Sequence, residues 1–220
     1  MKKLLIAANW KSNKTKNEAR NWIFELSRQI FPENLEIVIF PPLTLLDFLD
    51  SFIKANDLHF KLGAQNISPF EQGSYTGEVS ADQIKEFANY SLIGHSERRE
   101  NFAEDEALIN RKIEQAISQS LTPIVCISNL GQVRNLSSGR IVIAYEPLDA
   151  IGSGKPEDPR SVFNTINQIK QVRNVKVLYG GSVDSSNIKN YTSQENISGV
   201  LVGGQSLEAE SFINLLNNAF

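Results

Sequence analysis

The chain has 220 residues, 41% hydrophobic and 21% charged, an ordinary globular composition that is long enough for one large core. A net charge of -3 argues against a nucleic-acid or membrane-surface binder, so any anionic ligand must be met by a local positive field. Cys126 is the single cysteine, which excludes an intramolecular disulfide and leaves too few thiols for a structural zinc site.

Met1-Lys2-Lys3 followed by Leu4 superficially looks like the start of a signal peptide. The apolar run is too short for one and leads into polar Lys11-Ser12-Asn13-Lys14, so we read a first strand, Leu4 to Trp10, and a cytoplasmic protein. Ala19, Trp22, Ile23, Leu26 and Ile30 then recur at helical spacing. Further apolar runs predict strands over Leu35 to Phe40, Leu58 to Ala64 and Tyr90 to Gly94; His59 in the third reads as an ordinary structural histidine. A helical stripe of Ile109, Ile113, Ala116 and Ile117 precedes a fifth strand, Thr122 to Ile127, in which Cys126 reads as a buried, inert thiol. The stretch before the sixth strand, Ile141 to Tyr145, is interrupted by Gly131 and Gly139. A fifth helix is therefore expected to be absent or cut to about one turn. The sixth unit is also expected to be compact, with Val162, Ile166 and Ile169 as its apolar stripe. Strands at Val175 to Gly180 and Gly199 to Gly203, then Phe212, Leu215, Leu216 and Ala219 at helical spacing, complete the chain.

Strand and helix alternate, which implies a parallel sheet with helices outside it; eight strands suggest a closed (β/α)8 barrel. A doubly wound open sheet is the alternative, weakened because no Gly-x-Gly-x-x-Gly turn follows the first strand. No linker divides the chain, so residues 1–220 read as a single domain, and no apolar stretch approaches the ~20 residues of a membrane span. In such a barrel the functional residues stand at the C-terminal strand ends.

Those ends carry a coherent set. Glu146 closes an apolar strand that Pro147 stops, and is followed by Gly152 and Gly154, whose backbone can approach a ligand closely. Asn9 and Lys11 stand at the end of the first strand: Asn9 would orient or polarise a substrate oxygen, and Lys11 would counter a phosphate and an oxygen that becomes negative. His95 follows the fourth strand, with Glu97 placed to support Lys11 by an ion pair. Gly180-Gly181-Ser182 and Gly203-Gly204 follow the last two strands, where backbone amides can converge on one phosphoryl group with Gly152 as a further donor.

Taken together, Asn9-Trp10-Lys11, Gly63-Ala64-Gln65-Asn66, Ser74-Tyr75-Thr76-Gly77-Glu78, Gly94-His95-Ser96-Glu97-Arg98-Arg99, Ala144-Tyr145-Glu146-Pro147, the lid Ala150-Ile151-Gly152-Ser153-Gly154-Lys155, Tyr179-Gly180-Gly181-Ser182-Val183 and Leu201-Val202-Gly203-Gly204-Gln205 resemble the triosephosphate isomerase family over nearly the whole chain. The resemblance implies a TIM barrel that interconverts dihydroxyacetone phosphate and D-glyceraldehyde 3-phosphate in glycolysis and gluconeogenesis, without metal or organic cofactor. It implies that Glu146 abstracts the proton, that His95 and Asn9 polarise the oxygens, and that Lys11 stabilises the enediolate; a neutral histidine electrophile is an arrangement for which this family is the standard example. It implies that a closing lid keeps the enediolate from losing phosphate. It further implies a homodimer, with Gln65 to Glu78 entering the neighbour's pocket and Thr76 bracing the neighbour's Asn9 and Lys11, and neither nucleic acid nor membrane as partner.

The lid departs from that pattern. Leu148-Asp149 stands where relatives have Val-Trp, Ser128-Asn129 lacks the carboxylate that meets this tryptophan, and Lys155-Pro156-Glu157 replaces Lys-Thr-Ala. Pro156 restrains Lys155, so a stiffer hinge is expected. These changes keep two alternatives in view: a related sugar-phosphate isomerase or aldolase, and a catalytically impaired barrel retained for phosphate binding or interaction.

Overall fold

A computed structural model describes residues 2–148 and 156–220. Eight parallel strands form a closed barrel in sequence order: β1 (Leu4–Asn9), β2 (Leu35–Phe40), β3 (Lys61–Ala64), β4 (Tyr90–Ile93), β5 (Thr122–Ile127), β6 (Val142–Tyr145), β7 (Lys176–Tyr179) and β8 (Gly199–Val202). Pairing of β1 with β8, Leu5 opposite Gly199 through Ala8 opposite Val202, closes the sheet and rules out an open doubly wound arrangement.

Each strand is buried on both faces, which explains the unbroken apolar runs. Leu5, Ala7, Val38, Phe40, Leu92, Ile124, Ala144 and Leu178 fill the barrel, while their neighbours Ile6, Ala8, Ile39, Ile93, Val125, Ile143 and Val177 belong to the larger layer under the helices. A Cβ on Gly63 would lie 2.2 Å from the Phe40 ring, so a residue without a side chain is what admits a phenylalanine to the interior.

The outer layer contains α1 (Lys16–Ser27), α2 (Leu46–Ala55), α3 (Ala81–Ile84), α4 (Ser96–Asn101), α5 (Glu106–Ser118), α6 (Leu130–Arg134), α7 (Pro159–Val172), α8 (Ile188–Thr192) and α9 (Ala209–Asn217). Thr15 and Glu18 form a reciprocal capping box that starts α1, and Asp158 caps α7 with Pro159 just inside it. The helix after β5 is the expected single turn, α6.

Three expectations are corrected. In the sixth unit compactness does not extend to the helix: α7 spans 14 residues, whereas α3 and α8 have four and five. Ile30 does not continue the buried stripe of α1, which ends at Ser27 and leaves Ile30 98% exposed. His59 is exposed and precedes β3, because Asp57 turns through a left-handed φ of 49° and the amide of Leu58 returns to the Ile53 carbonyl at 3.0 Å, delaying entry to the sheet until Lys61.

At the barrel's N-terminal end, buried Glu36 accepts hydrogen bonds from Lys61 Nζ at 2.6 Å and the Tyr90 hydroxyl at 2.8 Å. Burial alone would raise its pKa, but those bonds and the charges of Lys61 and Lys3 prevail and hold it at about 2, below the ordinary 4.5. Its contribution to stability is therefore complete above the ordinary value and lost as pH falls from there through about 2. In pH-dependent denaturant titrations we expect Glu36→Gln to cost on the order of 1–3 kcal/mol at neutral pH, discounting for the part-exposed Lys61. That difference should shrink across the same acid window.

Candidate active site

The site is built from strand ends. Lys11 follows β1 with a left-handed φ of 53°, a conformation uncommon outside glycine that persists where surroundings enforce it. Its carbonyl accepts from Gln65 Nε2 at 2.9 Å, the same group donates to the Phe40 carbonyl at 2.8 Å, and the Lys11 amide donates to Asn9 Oδ1 at 3.1 Å. Trp10, fully buried and edge-on to Trp22 with ring centroids 4.8 Å apart, anchors the turn from beneath. With its oxygen engaged, Asn9 keeps its amide NH2 for a ligand.

His95 directly precedes α4. Its Nδ1 accepts the Glu97 amide at 3.2 Å, so in the neutral ring the hydrogen sits on Nε2. Nε2 lies 3.3 Å from Glu146 Oε1. Glu97 also reaches Lys11, Oε1 to Nζ at 2.5 Å, the ion pair expected from the sequence.

Glu146 is 2% exposed. Its Oε2 accepts the Ser96 amide at 3.3 Å, and the Cys126 thiol on the adjacent strand favours the ionised carboxylate. Burial raises its pKa above the ordinary carboxylate value, with His95, Ser96, Cys126 and Lys11 opposing the shift. A Cβ on Gly180 would stand 2.8 Å from Glu146 Cγ, so the glycine after β7 makes room for the Glu146 side chain of the neighbouring strand.

A cavity of about 300 Å³ unites these groups. Asn9, Lys11, His95 and Glu146 line it together with the glycine turns at Gly180-Gly181-Ser182 and Gly203-Gly204. Glu97 stands outside that lining and touches it through Lys11. Gly152, with Asp149, Gly154 and Lys155, lies outside the described residues; Leu148 is 66% exposed. Chemically the arrangement offers a desolvated carboxylate, two neutral hydrogen-bond donors, one ammonium and two glycine turns suited to a phosphoryl group. Among the described residues no group of His, Cys, Asp or Glu could hold a metal ion.

Several participants were not identified from sequence. The sequence points to Gln65 only as the start of the loop that would enter a neighbour's pocket, the Ser96 amide carries no side-chain signal, and Cys126 reads as an inert core thiol. Register would have revealed the last: Cys126 pairs with Ala144, two residues before Glu146.

The family model for triosephosphate isomerase matches residues 4–219. A triosephosphate isomerase of Thermus thermophilus is 36% identical over 251 residues, covering 100% of both chains. That of Alkaliphilus metalliredigens is 36% identical with 99% of this chain and 100% of its own covered, and that of Mycoplasmopsis pulmonis 38% identical with 98% of each.

For Gly180→Ala we expect turnover to fall about 10- to 100-fold, as displacement of a catalytic group by around an ångström does, with a smaller change in KM. Steady-state kinetics on the purified variant test this.

Proposed function

The chain belongs to the triosephosphate isomerase family, and on that premise we propose that Glu146 is the base that moves a proton between the two carbons of a phosphorylated triose. The protein is an intramolecular isomerase that interconverts dihydroxyacetone phosphate and D-glyceraldehyde 3-phosphate. The observation that carries the residue assignment is the meeting, on one cavity, of a buried carboxylate with His95, Asn9, Lys11 and two glycine turns.

With phosphate held by the amides at Gly180-Gly181-Ser182 and Gly203-Gly204, the substrate's carbonyl and hydroxyl oxygens face His95 Nε2 and the Asn9 amide. Glu146 takes the proton from the carbon beside the carbonyl, giving an enediolate and a protonated carboxyl; His95 Nε2 gives its hydrogen to the former carbonyl oxygen and takes the one on the former hydroxyl oxygen, and returning the carboxyl proton to the neighbouring carbon completes the interconversion. Donors already fixed by Glu97 and Lys11 backbone contacts stabilise the developing oxyanion without reorganising, and the Lys11 ammonium offsets its charge. Glu97 is a positioning residue that acts through Lys11. Gly152 is proposed as a further phosphate donor. No metal or organic cofactor is needed for these steps.

We expect Glu146→Asp, which withdraws the base by one methylene, to lower kcat at least ~100-fold while KM changes little. A coupled assay in both directions measures it, and equal losses in kcat and binding would count against Glu146 as the base.

We place the active protein in the cytoplasm, in glycolysis and gluconeogenesis, as a homodimer that binds neither nucleic acid nor membrane. No described helix is long and apolar enough to cross a membrane. Supporting the dimer, residues 71–78 are exposed although their base is tied down by the Ser68 amide to the Val79 carbonyl at 2.8 Å. At the loop's shoulder Phe70 stacks on Tyr75 at 4.2 Å, leaving Tyr75 45% exposed beside Thr76. Such a loop offers apolar surface to a second copy, where Thr76 would brace the partner's active site. Sedimentation velocity should show a two-chain species at micromolar concentration; a fully active monomer would overturn this.

A further inference from the structure

Glu157, just before α7, is gripped from several sides. Its backbone N–H donates to the Tyr179 hydroxyl at 3.0 Å, and its carbonyl accepts from the Tyr191 hydroxyl at 2.7 Å. Its carboxylate accepts from the Tyr145 hydroxyl at 3.2 Å through Oε2 and from the Ser161 hydroxyl through Oε1. Tyr179 and Tyr191 stack with centroids 4.3 Å apart, so the grip is stiff.

The location of the tyrosines gives these contacts a consequence. Tyr145 and Tyr179 are opposite each other in the β6–β7 ladder; Glu146 follows one and Gly180 the other. The Tyr145 carbonyl accepts the Gly180 amide at 2.8 Å. Tyr145 packs in the layer outside the barrel, whereas Glu146 turns to the cavity, as successive residues of an extended chain do. A force that fixes the Tyr145 side chain on the outer face therefore fixes the direction in which the next residue leaves the strand. Burial, with the charge and hydrogen bond of Glu157, pushes the Tyr145 hydroxyl up to about 12, so it remains a donor at neutral pH.

We propose that Glu157 is a positioning residue for Glu146: its carboxylate holds the Tyr145 hydroxyl from outside the barrel and so sets the strand end from which the base addresses the substrate. The inference rests on Glu146 being the base. Glu157 is not among the residues lining the cavity, so its effect is exerted through Tyr145. The alternative is a plain staple, in which the Ser161 contact merely secures the start of α7 and affects stability alone.

Steady-state kinetics and thermal unfolding of Glu157→Ala, Glu157→Gln, Tyr145→Phe and the Glu157→Ala/Tyr145→Phe double variant separate these. We expect Glu157→Ala to lower kcat about 10-fold with KM changed less than about 2-fold, and Glu157→Gln, which keeps an acceptor for Tyr145, to recover most of the loss even if both variants melt earlier. Tyr145→Phe should match Glu157→Ala, and the double variant should be no worse than either. Unchanged kcat in Glu157→Ala, or losses that multiply in the double variant, would overturn the proposal. Glu146→Asp run in the same assay distinguishes the premise: if its kcat falls while KM holds, the base stands and any failure belongs to Glu157 alone. Equal losses in kcat and binding remove the base and the inference together.

Discussion

The site depends on keeping one carboxylate out of water. At 2% exposure Glu146 has lost nearly all its hydration and receives in exchange one backbone N–H and the neighbouring imidazole. That exchange is incomplete, and the raised pKa follows from it. The same imbalance makes the ionised group a stronger base and makes it oppose folding: between the ordinary carboxylate value and the raised one, stability falls as pH rises and recovers as it drops. Function is thus obtained against stability, and the closed barrel around the carboxylate supplies the rigidity that sustains it.

The barrel distributes this task among its strands. β6 presents Glu146, β7 leaves a gap for it at Gly180, β5 contributes Cys126, and β4 delivers the His95 and Ser96 groups it touches. β1 brings Asn9 and a strained Lys11 whose carbonyl is tied by Gln65 to the end of β2. Ser206, fully buried past β8, closes the circle by donating to the Gly203 carbonyl at 2.6 Å while its own carbonyl accepts from Trp22 Nε1 at 3.0 Å. Donors fixed in this way need not reorient as charge develops, which is what makes a preorganised site effective.

Much of the architecture was legible in the sequence because parallel barrel strands are buried on both faces, so Ile37 to Phe40 or Ile124 to Ile127 stand out as unbroken apolar runs. Strand-end groups such as Asn9, His95 and Glu146 were legible because each follows directly on such a run. Ile30 and His59 show the limit: helical spacing cannot tell where a helix stops, and an apolar run cannot tell where hydrogen-bonded pairing begins. The short α3 and α8 left too few periodic positions to be seen. Gln65, the Ser96 amide and the tyrosines around Glu157 act across elements distant in the chain, and periodicity in one segment carries no information about another.

The central claim, that burial raises the Glu146 carboxyl above the ordinary carboxylate value, can be read directly in the free protein. Glutamate side chains labelled with carbon-13 at the carboxyl would be followed by NMR against pH, with the Glu146 signal assigned by its absence in Glu146→Gln. We expect that signal to titrate clearly above the ordinary value of 4.5. A midpoint at or below 4.5 would contradict the account.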